Sequence, residues 1–235
     1  MDLLHHLFLN ASSSRVLVLA AHGDDEVIGC GGLIARMVAG GARTLVHFAC
    51  MADRVRAEEA AVACRTLGTE IDSETLPDRE LWLGQHRSAL FRRYCDLIRE
   101  FRPHLVLTHH PTNDGNPDHK ALGNAALEAL EFATHGTNGW TGTQVVLGYE
   151  IHALFPFPST IVDVTGVWET VIKAMMAYRS QIEAPHKAGY YLEYMDARSR
   201  LRGVQGGFAR GEAYHLLSAT VLGNFNRRPA ADGEA

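Results

Sequence analysis

The sequence predicts a three-layer α/β fold, in which helices cover both faces of a mostly parallel sheet. Strand-like apolar runs alternate with helical patterns along most of the chain, as is typical of parallel strands joined by helices. The first run, residues 15–21, is almost wholly apolar, as in a buried strand. No internal repeat or low-complexity linker divides the 235 residues, so we expect a single domain, 1–235, whose tail at about 226–235 frays.

The predicted elements follow one another in order along the chain. Strands are expected within residues 15–21, 43–50, 69–77, 102–110, 143–151 and 159–165. Helices are expected near residues 27–39, 56–68, 87–101, 118–132, 167–179 and 191–203. The second helix ends at Gly68, the residue type that most often closes a helix at its C-terminus.

The composition is that of an ordinary globular protein and argues against several functions. Hydrophobic residues make up 46% of the chain and charged residues 21%. A net charge of −5 without a basic face argues against nucleic-acid binding, which requires phosphates to be neutralised. No apolar run approaches the ~20 residues of a membrane span, and we expect no secretory leader. The four cysteines form no C-x-x-C pair, which suits unpaired thiols in a reducing, cytoplasmic compartment.

Two polar segments fall where predicted strands end. Residues 22–26 lie at the carboxyl end of the first strand, and THHPTNDGNPDH, residues 108–119, lies at that of the fourth. Ligands of such folds bind beyond the carboxyl ends of the strands. The two segments are therefore expected to face one crevice.

Three consecutive acids, Asp24, Asp25 and Glu26, open the first helix. The helix dipole stabilises an acid in the first turn by ~0.3–1 kcal/mol, so capping is the simplest interpretation of any one of them. Three in a row repel one another, however, and a cap uses only one or two. A bound cation would balance the excess charge and would also use His22.

Zinc chemistry accounts for this residue pattern. A catalytic zinc ion is bound by three histidine or carboxylate ligands and keeps one position open for water. His22 and Asp25 are three residues apart and can chelate from one short loop, leaving Asp24 to act on the water and Glu26 to support the loop. His119 is the best candidate for the third ligand, because it lies at a predicted helix start in the partner segment. Alternative third ligands on that segment are His109 and His110.

Several segments resemble a known family. AAHGDDEVIGCGG, residues 20–32, is similar to the A-H-P-D-D-E-x-x-G-x-G-G signature of the PIG-L or LmbE-like zinc-dependent N-deacetylases. Later segments of that family resemble residues 56–68, LPD at 76–78, the run ending in Asp-His at 118–119, KAMMAYRSQ at 173–181 and GEAYHLL at 211–217. The resemblance implies a Rossmann-like fold and hydrolysis of an N-acetyl group, commonly from an N-acetylglucosamine unit.

The resemblance also implies roles for individual residues. The zinc ligands of the family fall on His22, Asp25 and His119, and its general base falls on Asp24. Zinc is the expected metal, and another divalent transition metal is the alternative.

Arg56 and Asn116 are predicted to contact the substrate. Arg56 matches an arginine near the substrate end of the family's pocket, and its alternative is a surface pair with Glu58 or Glu59. Asn116 stands where many relatives carry a histidine, three residues before the last ligand. Asparagine can donate a hydrogen bond but cannot deliver a proton at neutral pH. Other candidates for the proton donor are Asp24, His109 and His110.

We expect a zinc-dependent hydrolase that removes an N-acetyl group from a small N-acetylglucosamine-type conjugate and releases acetate and a free amine. The expected partner is this small amino-sugar substrate, and the sequence leaves open whether the chain forms a homo-oligomer. One alternative is a zinc hydrolase of another N-acyl or carbamoyl group. A second is a non-catalytic sugar- or nucleotide-binding α/β protein, which Asp24 disfavours because binding alone needs no base.

Overall fold

The computed structural model describes residues 7–8, 10–81, 86–133, 142–143, 145–185 and 188–219. The tail at about 226–235, which we expect to fray, lies outside the described residues. Among the helices of the described ranges, none combines the length and the apolar character needed to cross a membrane.

The described strands form one seven-stranded sheet, which confirms the predicted α/β class. The strands are β1 (Arg15–His22), β2 (Arg43–Cys50), β3 (Glu70–Ser73), β4 (Leu105–His109), β5 (Val145–Tyr149), β6 (Thr160–Asp163) and β7 (Gly211–Ala219). Their order across the sheet is β3-β2-β1-β4-β5-β7-β6. The first five in this order are parallel, and β7 runs antiparallel to both of its neighbours. The sheet is therefore mostly parallel, as predicted.

The last strand, β7, is absent from the sequence prediction, which is wrong in ending the chain with a helix. The segment carries an acid at Glu212 and a histidine at His215. These polar residues interrupt the apolar run that would indicate a strand in the sequence. Glu212 is nevertheless buried, with both carboxylate oxygens hydrogen-bonded.

The main helices follow the predicted order. They are α1 (Asp25–Ala39), α2 (Arg54–Leu67), α3 (Arg87–Phe101), α4 (Pro117–Ala133), α5 (Trp168–Met175), α6 (Arg179–Ile182) and α7 (Tyr190–Gly206). The prediction of one continuous helix at 167–179 is wrong, because α5 ends at Met175 and α6 begins at Arg179. Tyr178, between them, is fully buried and donates its hydroxyl to Glu26 Oε1 at 2.6 Å. The break in the helix therefore directs Tyr178 toward the first turn of α1.

Helices cover both faces of the sheet, which confirms the three-layer arrangement. Val16 and Val18 of β1 join the core formed with α1, α2, α5 and α7. Leu17 and Leu19 join the core formed with α3 and α4 on the opposite face. All four side chains are fully buried, as expected for a strand covered on both faces.

Two glycines allow α1 to lie close to its neighbours. A Cβ atom at Gly29 would lie 2.3 Å from the ring of Tyr149, and one at Gly32 would lie 2.4 Å from the side chain of Val164. Both distances are too short for any larger residue. The glycines of this segment therefore serve close packing.

A kink at Cys30 interrupts α1, where φ is −150° and ψ is 19°. Just after it, the amides of Gly32 and Leu33 donate to the Glu212 carboxylate at 2.7 and 2.8 Å. Tyr214 donates its hydroxyl to the same carboxylate at 2.6 Å. Glu212 thus satisfies backbone donors next to the kink, as buried amides require.

The order of the strands positions the functional site. β1 pairs on one side with β2 and on the other with β4. The chain leaves β1 toward β2 and leaves β4 toward β5, in opposite directions across the sheet. Ligand sites of α/β sheets form at such a switch point, beyond the carboxyl ends of the strands. His22 ends β1 and His109 ends β4, so both predicted polar segments begin at this edge.

Candidate metal centre and active site

The structure brings together the residues predicted to bind a metal, His22, Asp25 and His119. His119 Nε2 lies 3.3 Å from His22 Nδ1 and 3.4 Å from Asp25 Oδ1. His22 Nδ1 lies 3.4 Å from Asp25 Oδ2. Ligand atoms about 2.0–2.1 Å from a tetrahedral zinc ion are about 3.3–3.4 Å apart, and each imidazole nitrogen keeps this spacing to the other and to one of the two Asp25 oxygens. All three side chains are buried, which makes the cluster a candidate metal site.

Each imidazole of the cluster also faces a carboxylate through its other nitrogen. His22 Nε2 lies 3.2 Å from Asp118 Oδ2, and His119 Nδ1 lies 3.1 Å from Asp114 Oδ2. Metal-binding histidines are usually oriented by such a carboxylate. The sequence reasoning missed the roles of Asp114 and Asp118, although both acids stand in the segment that supplies His119.

The surrounding carboxylates raise the proton affinity of both imidazoles. Burial alone lowers the pKa of His22, but hydrogen bonds with Asp118 and Asp25 outweigh burial and raise this pKa to about 12. Burial also lowers the pKa of His119, while Asp25 and Asp114 raise it to about 9. For Asp25, burial favours the neutral acid, but the charge of His119 holds its pKa well below the usual range. The site therefore attracts positive charge.

Asp24 lies beside the cluster in an uncommon backbone conformation. Its φ of 109° places it in the left-handed region, which non-glycine residues rarely adopt. Asp24 occupies the N-cap position of α1, yet its side chain makes no capping hydrogen bond. The side chain instead lines the cavity above the metal cluster. Helix capping therefore does not account for this acid.

Glu26 supports the turn that carries Asp24. The carboxylate is fully buried, and it accepts a hydrogen bond from the Asp24 amide at 3.1 Å and one from the Tyr178 hydroxyl at 2.6 Å. Burial raises the pKa of Glu26 to about 8, although the bond from Tyr178 lowers it. These contacts fix the backbone of the turn, the supporting role expected for Glu26.

Arg56 points into the cavity from the first turn of α2. Its Nη2 lies 3.3 Å from Asp24 Oδ2, and its Nη1 lies 3.3 Å from Asp78 Oδ2. The alternative surface pair is wrong, because Glu58 binds Arg54 and Glu59 binds Ser180. Arg56 therefore connects the candidate base to the loop after β3.

His109 lies behind the metal cluster. Its ring stacks on His119 with centroids 3.9 Å apart, and its Nε2 lies 3.2 Å from Asp25 Oδ2. The same nitrogen accepts the Ala21 amide at 3.0 Å. Burial, followed by the charge of His119, lowers the pKa of His109 to about 4. The potential ligand atoms of His109, Asp114 and His119 also lie within 4.8 Å of one another. His109 therefore remains an alternative metal ligand.

His110 points away from the cluster. Its Nδ1 accepts the backbone amides of Thr112 and Asn113 at 3.2 and 3.0 Å, and its ring lies against Phe155 and His215. Among the described residues that line the cavity, neither His109 nor His110 is present. Neither is therefore placed to transfer a proton to a group bound in the cavity.

A cavity of about 160 Å³ opens above the cluster. Asn116 lies on its wall and also caps α4, because its Oδ1 accepts the Asp118 amide at 2.9 Å. Its donor group is consequently Nδ2. The described lining residues are His22, Asp24, Asp25, Ile28, Arg56, Asp78, Arg79, Asn116, His119, Ile151, His152 and Tyr191.

Six of these lining residues were not predicted as functional, and His152 and Arg79 are two of them. His152 follows β5, and its ring lies parallel to that of His119 with centroids 5.4 Å apart. The strand-end rule, applied to the fifth strand as well as the first and fourth, would have found it. Arg79 lies in the loop after β3, where no metal-binding or catalytic motif marks it.

The fold and the site together define an α/β protein with a candidate mononuclear metal centre at the carboxyl edge of its sheet. Residues 17–130 match the family described as PIG-L: GlcNAc-PI de-N-acetylase. This match covers 114 of the 235 residues and confirms the resemblance found in the sequence.

Related proteins match this chain over most of their length. A 1D-myo-inositol 2-acetamido-2-deoxy-alpha-D-glucopyranoside deacetylase from Rhodococcus erythropolis is 26% identical, over 78% of this chain and 87% of its own. The crystal structure of the conserved protein TT1542 from Thermus thermophilus has a TM-score of 0.75 and 25% identity, covering 88% of this chain and 96% of that chain. GalB, the 4-carboxy-2-hydroxymuconate hydratase from Pseudomonas putida, also has a TM-score of 0.75, with 24% identity, covering 88% of this chain and 98% of that chain. The last comparison shows the fold alone.

Proposed function

We propose that this protein is a zinc-dependent N-deacetylase that releases acetate and a free amine from a small N-acetylglucosamine-type conjugate. The observation that carries the proposal is the buried group of His22, Asp25 and His119, with ligand atoms 3.3–3.4 Å apart beside Asp24 in an open cavity. A deacetylase of an acetamido-glucopyranoside is similar over most of this chain, which supports the amino-sugar substrate.

The metal has a defined part in this proposal. His22, Asp25 and His119 would hold zinc, which supplies Lewis acidity toward the acetyl carbonyl and makes water more acidic. Another divalent transition metal is compatible with the same ligand types. Asp118 and Asp114 orient the two imidazoles from behind.

The remaining chemistry falls to side chains of the cavity. Asp24 takes a proton from the attacking water, and Arg56 pairs with its carboxylate at 3.3 Å. Asn116 donates from Nδ2 to the oxygen of the acetyl group as charge develops there. When the C–N bond breaks, Asp24 returns its proton to the leaving amine. Water is consumed, and acetate and the amine are the products.

The proposed compartment is the cytoplasm. All four cysteines are buried and free, and none lies in a disulfide. Unpaired thiols of this kind are typical of a reducing environment.

Release of free amine from a panel of N-acylated compounds tests the function. Zinc-loaded protein is incubated with N-acetylglucosamine, with its glycosides, and with the N-carbamoyl and N-propionyl analogues of one glycoside. We expect equal amounts of amine and acetate from the N-acetyl sugars and the fastest turnover for glycosides. Exclusive turnover of carbamoyl or longer acyl groups, or hydration of an unsaturated acid without amine release, would refute the N-acetyl assignment.

A further inference from the structure

The wall of the active-site cavity has one apolar patch. Among the described lining residues, only Ile28, Ile151 and Tyr191 present hydrocarbon or aromatic surface. Ile28 and Ile151 are 1% and 2% exposed, so most of each side chain packs in the core. A Cβ atom at Gly29 would lie 2.9 Å from Ile151 Cδ1, so Ile151 packs directly against the helix that carries Ile28. The two isoleucines thus form an apolar patch in a cavity otherwise lined by charged and hydrogen-bonding groups.

Ile28 lies close to the candidate base and to a candidate metal ligand. It follows Asp25 by three residues on α1, and side chains at this spacing lie on one face of a helix. Its amide donates to the Asp24 carbonyl at 2.9 Å, which fixes the turn that joins the two residues. A carbonyl carbon that lies between the metal cluster and Asp24 therefore has the side chain of Ile28 next to its substituent.

Hydrogen bonds from α7 hold the backbone of both isoleucines. Arg198 is buried, and its guanidinium donates to the Ile28 carbonyl and, at 2.6 Å, to the Glu150 carbonyl. Tyr194, one turn earlier in α7, donates its hydroxyl to the Ile151 carbonyl at 2.5 Å. One guanidinium therefore joins the two segments that carry the patch, and this arrangement opposes their separation.

A fixed apolar patch in a small cavity selects acyl groups by size. The cavity measures about 160 Å³, and its remaining wall is polar. The methyl group is the apolar end of an acetamide, so it fits the patch while the carbonyl oxygen meets the polar groups. One additional methylene in an apolar pocket changes kcat/KM by about 10- to 200-fold. Isoleucines held from behind by hydrogen bonds resist moving aside for a longer chain.

We propose that Ile28 and Ile151 form an acyl pocket that accepts the methyl of an acetyl group and excludes propionyl and longer chains. This inference rests on the proposed deacetylase function for the position of the acyl group. The two isoleucines determine which acyl group is removed and take no part in bond breaking.

Matched N-acyl glycosides test the pocket by turnover. The N-acetyl, N-propionyl and N-butyryl derivatives of one glucosamine glycoside are compared in wild type, Ile28→Ala and Ile151→Ala. We expect kcat/KM in wild type to favour acetyl over propionyl by about tenfold or more, and both variants to bring this ratio to about one or below. Ile34→Ala is the matched control, because Ile34 is a fully buried residue of α1 that is not among the described lining residues. It should keep the wild-type ratio.

The ratio is insensitive to partial loss of folded protein, because all acyl groups are measured on one preparation. Ile28→Val and Ile151→Val, which each remove one methyl group, should shift the ratio in the same direction by a smaller factor. Equal kcat/KM for the three acyl groups in wild type would overturn the pocket.

Binding provides a readout that does not depend on turnover. Acetohydroxamate, propionohydroxamate and butyrohydroxamate share one metal-binding group and differ only in the alkyl chain, and they are titrated into zinc-loaded protein by calorimetry. Affinity should fall with chain length in wild type but not in Ile151→Ala. This result would support the pocket even if no N-acyl glycoside were hydrolysed, in which case only the deacetylase proposal fails. Hydrolysis of N-acetyl glycosides with the same acyl ratio in wild type and both alanine variants would overturn the pocket and leave the deacetylase proposal standing.

Discussion

Asp118 Oδ2 lies 3.2 Å from His22 Nε2, so a residue at the start of α4 orients the imidazole that ends β1. The residues are 96 positions apart in the chain, and the contact joins the two strand ends that frame the site. Through the same oxygen Asp118 also accepts the Arg79 amide at 2.6 Å. One buried carboxylate therefore connects the metal cluster to the mouth of the cavity.

The first prediction concerns this carboxylate. Asp118→Asn should weaken zinc binding by about 10- to 100-fold, because the imidazole of His22 loses its charged partner while the ligand itself stays. Competition with a chelator of known affinity measures the effect. Asp96→Asn, at an exposed acid of α3, serves as the matched control. Unchanged zinc affinity in Asp118→Asn would show that Asp118 only anchors the loop.

The second prediction assigns the third ligand. His119→Ala should strip the metal, whereas His110→Ala should keep it, because His110 Nδ1 is occupied by two backbone amides away from the cluster. Metal analysis after dialysis gives the occupancy of each variant. His109→Ala is the decisive comparison, since His109 lies within ligand distance of Asp114 and His119. If His119→Ala kept full metal occupancy and His109→Ala lost it, the third ligand would be His109 and not His119.

The third prediction is that zinc binding releases protons at pH 7. The carboxylates raise the pKa of His22 to about 12 and that of His119 to about 9, so the metal-free cluster carries at least one proton that zinc must displace. Apparent affinity should therefore increase with pH through the pKa of His119, about 9, and continue to increase toward that of His22, about 12. Calorimetry in two buffers of different ionisation enthalpy counts the protons. An identical heat in both buffers would contradict the protonated cluster.

The candidate metal ligands could be predicted from the sequence because the motifs that carry them are short stretches of the chain. His22, Asp24 and Asp25 stand within four residues at a predicted strand end, and the strand-end rule pairs this turn with the segment of His119. Capping could not be rejected from sequence for any one acid. It is rejected for Asp24 by a left-handed backbone and a side chain that makes no capping bond.

Other features depend on contacts that are distant along the chain. Nothing near Glu212 in sequence indicates a buried acid, since its partners Gly32 and Leu33 lie 180 and 179 residues away. The prediction accordingly missed β7. Arg79 was missed for the same reason, because its amide is held by Asp118, 39 residues further on.

The fourth prediction separates binding from chemistry at Asp24. Asp24→Asn preserves the size of the side chain but removes its basicity, so zinc should stay bound while kcat falls by roughly 10² or more. Metal content and steady-state deacetylation are measured on the same preparation. Near-normal turnover with full zinc would exclude Asp24 as the base and would favour a structural role at the N-terminus of α1.

The last prediction concerns the contribution of Glu212 to the stability of the fold. Glu212 lies far along the chain from the residues of the metal cluster. Its carboxylate accepts the amides of Gly32 and Leu33 and the hydroxyl of Tyr214. Glu212→Gln presents one acceptor oxygen and an NH₂ group, so one buried amide loses its partner, at a cost of about 1–3 kcal/mol in the free energy of unfolding.

This cost should depend on pH. Burial raises the pKa of Glu212 above its ordinary value, although its hydrogen bonds lower it. In the native state the acid therefore keeps its proton to a higher pH than in the unfolded chain, where the pKa is ordinary. The resulting stabilisation is complete below the unfolded pKa and is lost as pH rises through the native pKa. The glutamine variant does not titrate, so the stability difference between wild type and Glu212→Gln should narrow from pH 4 upward. Urea unfolding of both proteins at several pH values measures the difference, and a gap that stays constant or widens with pH would show that Glu212 is ionised in the native state throughout.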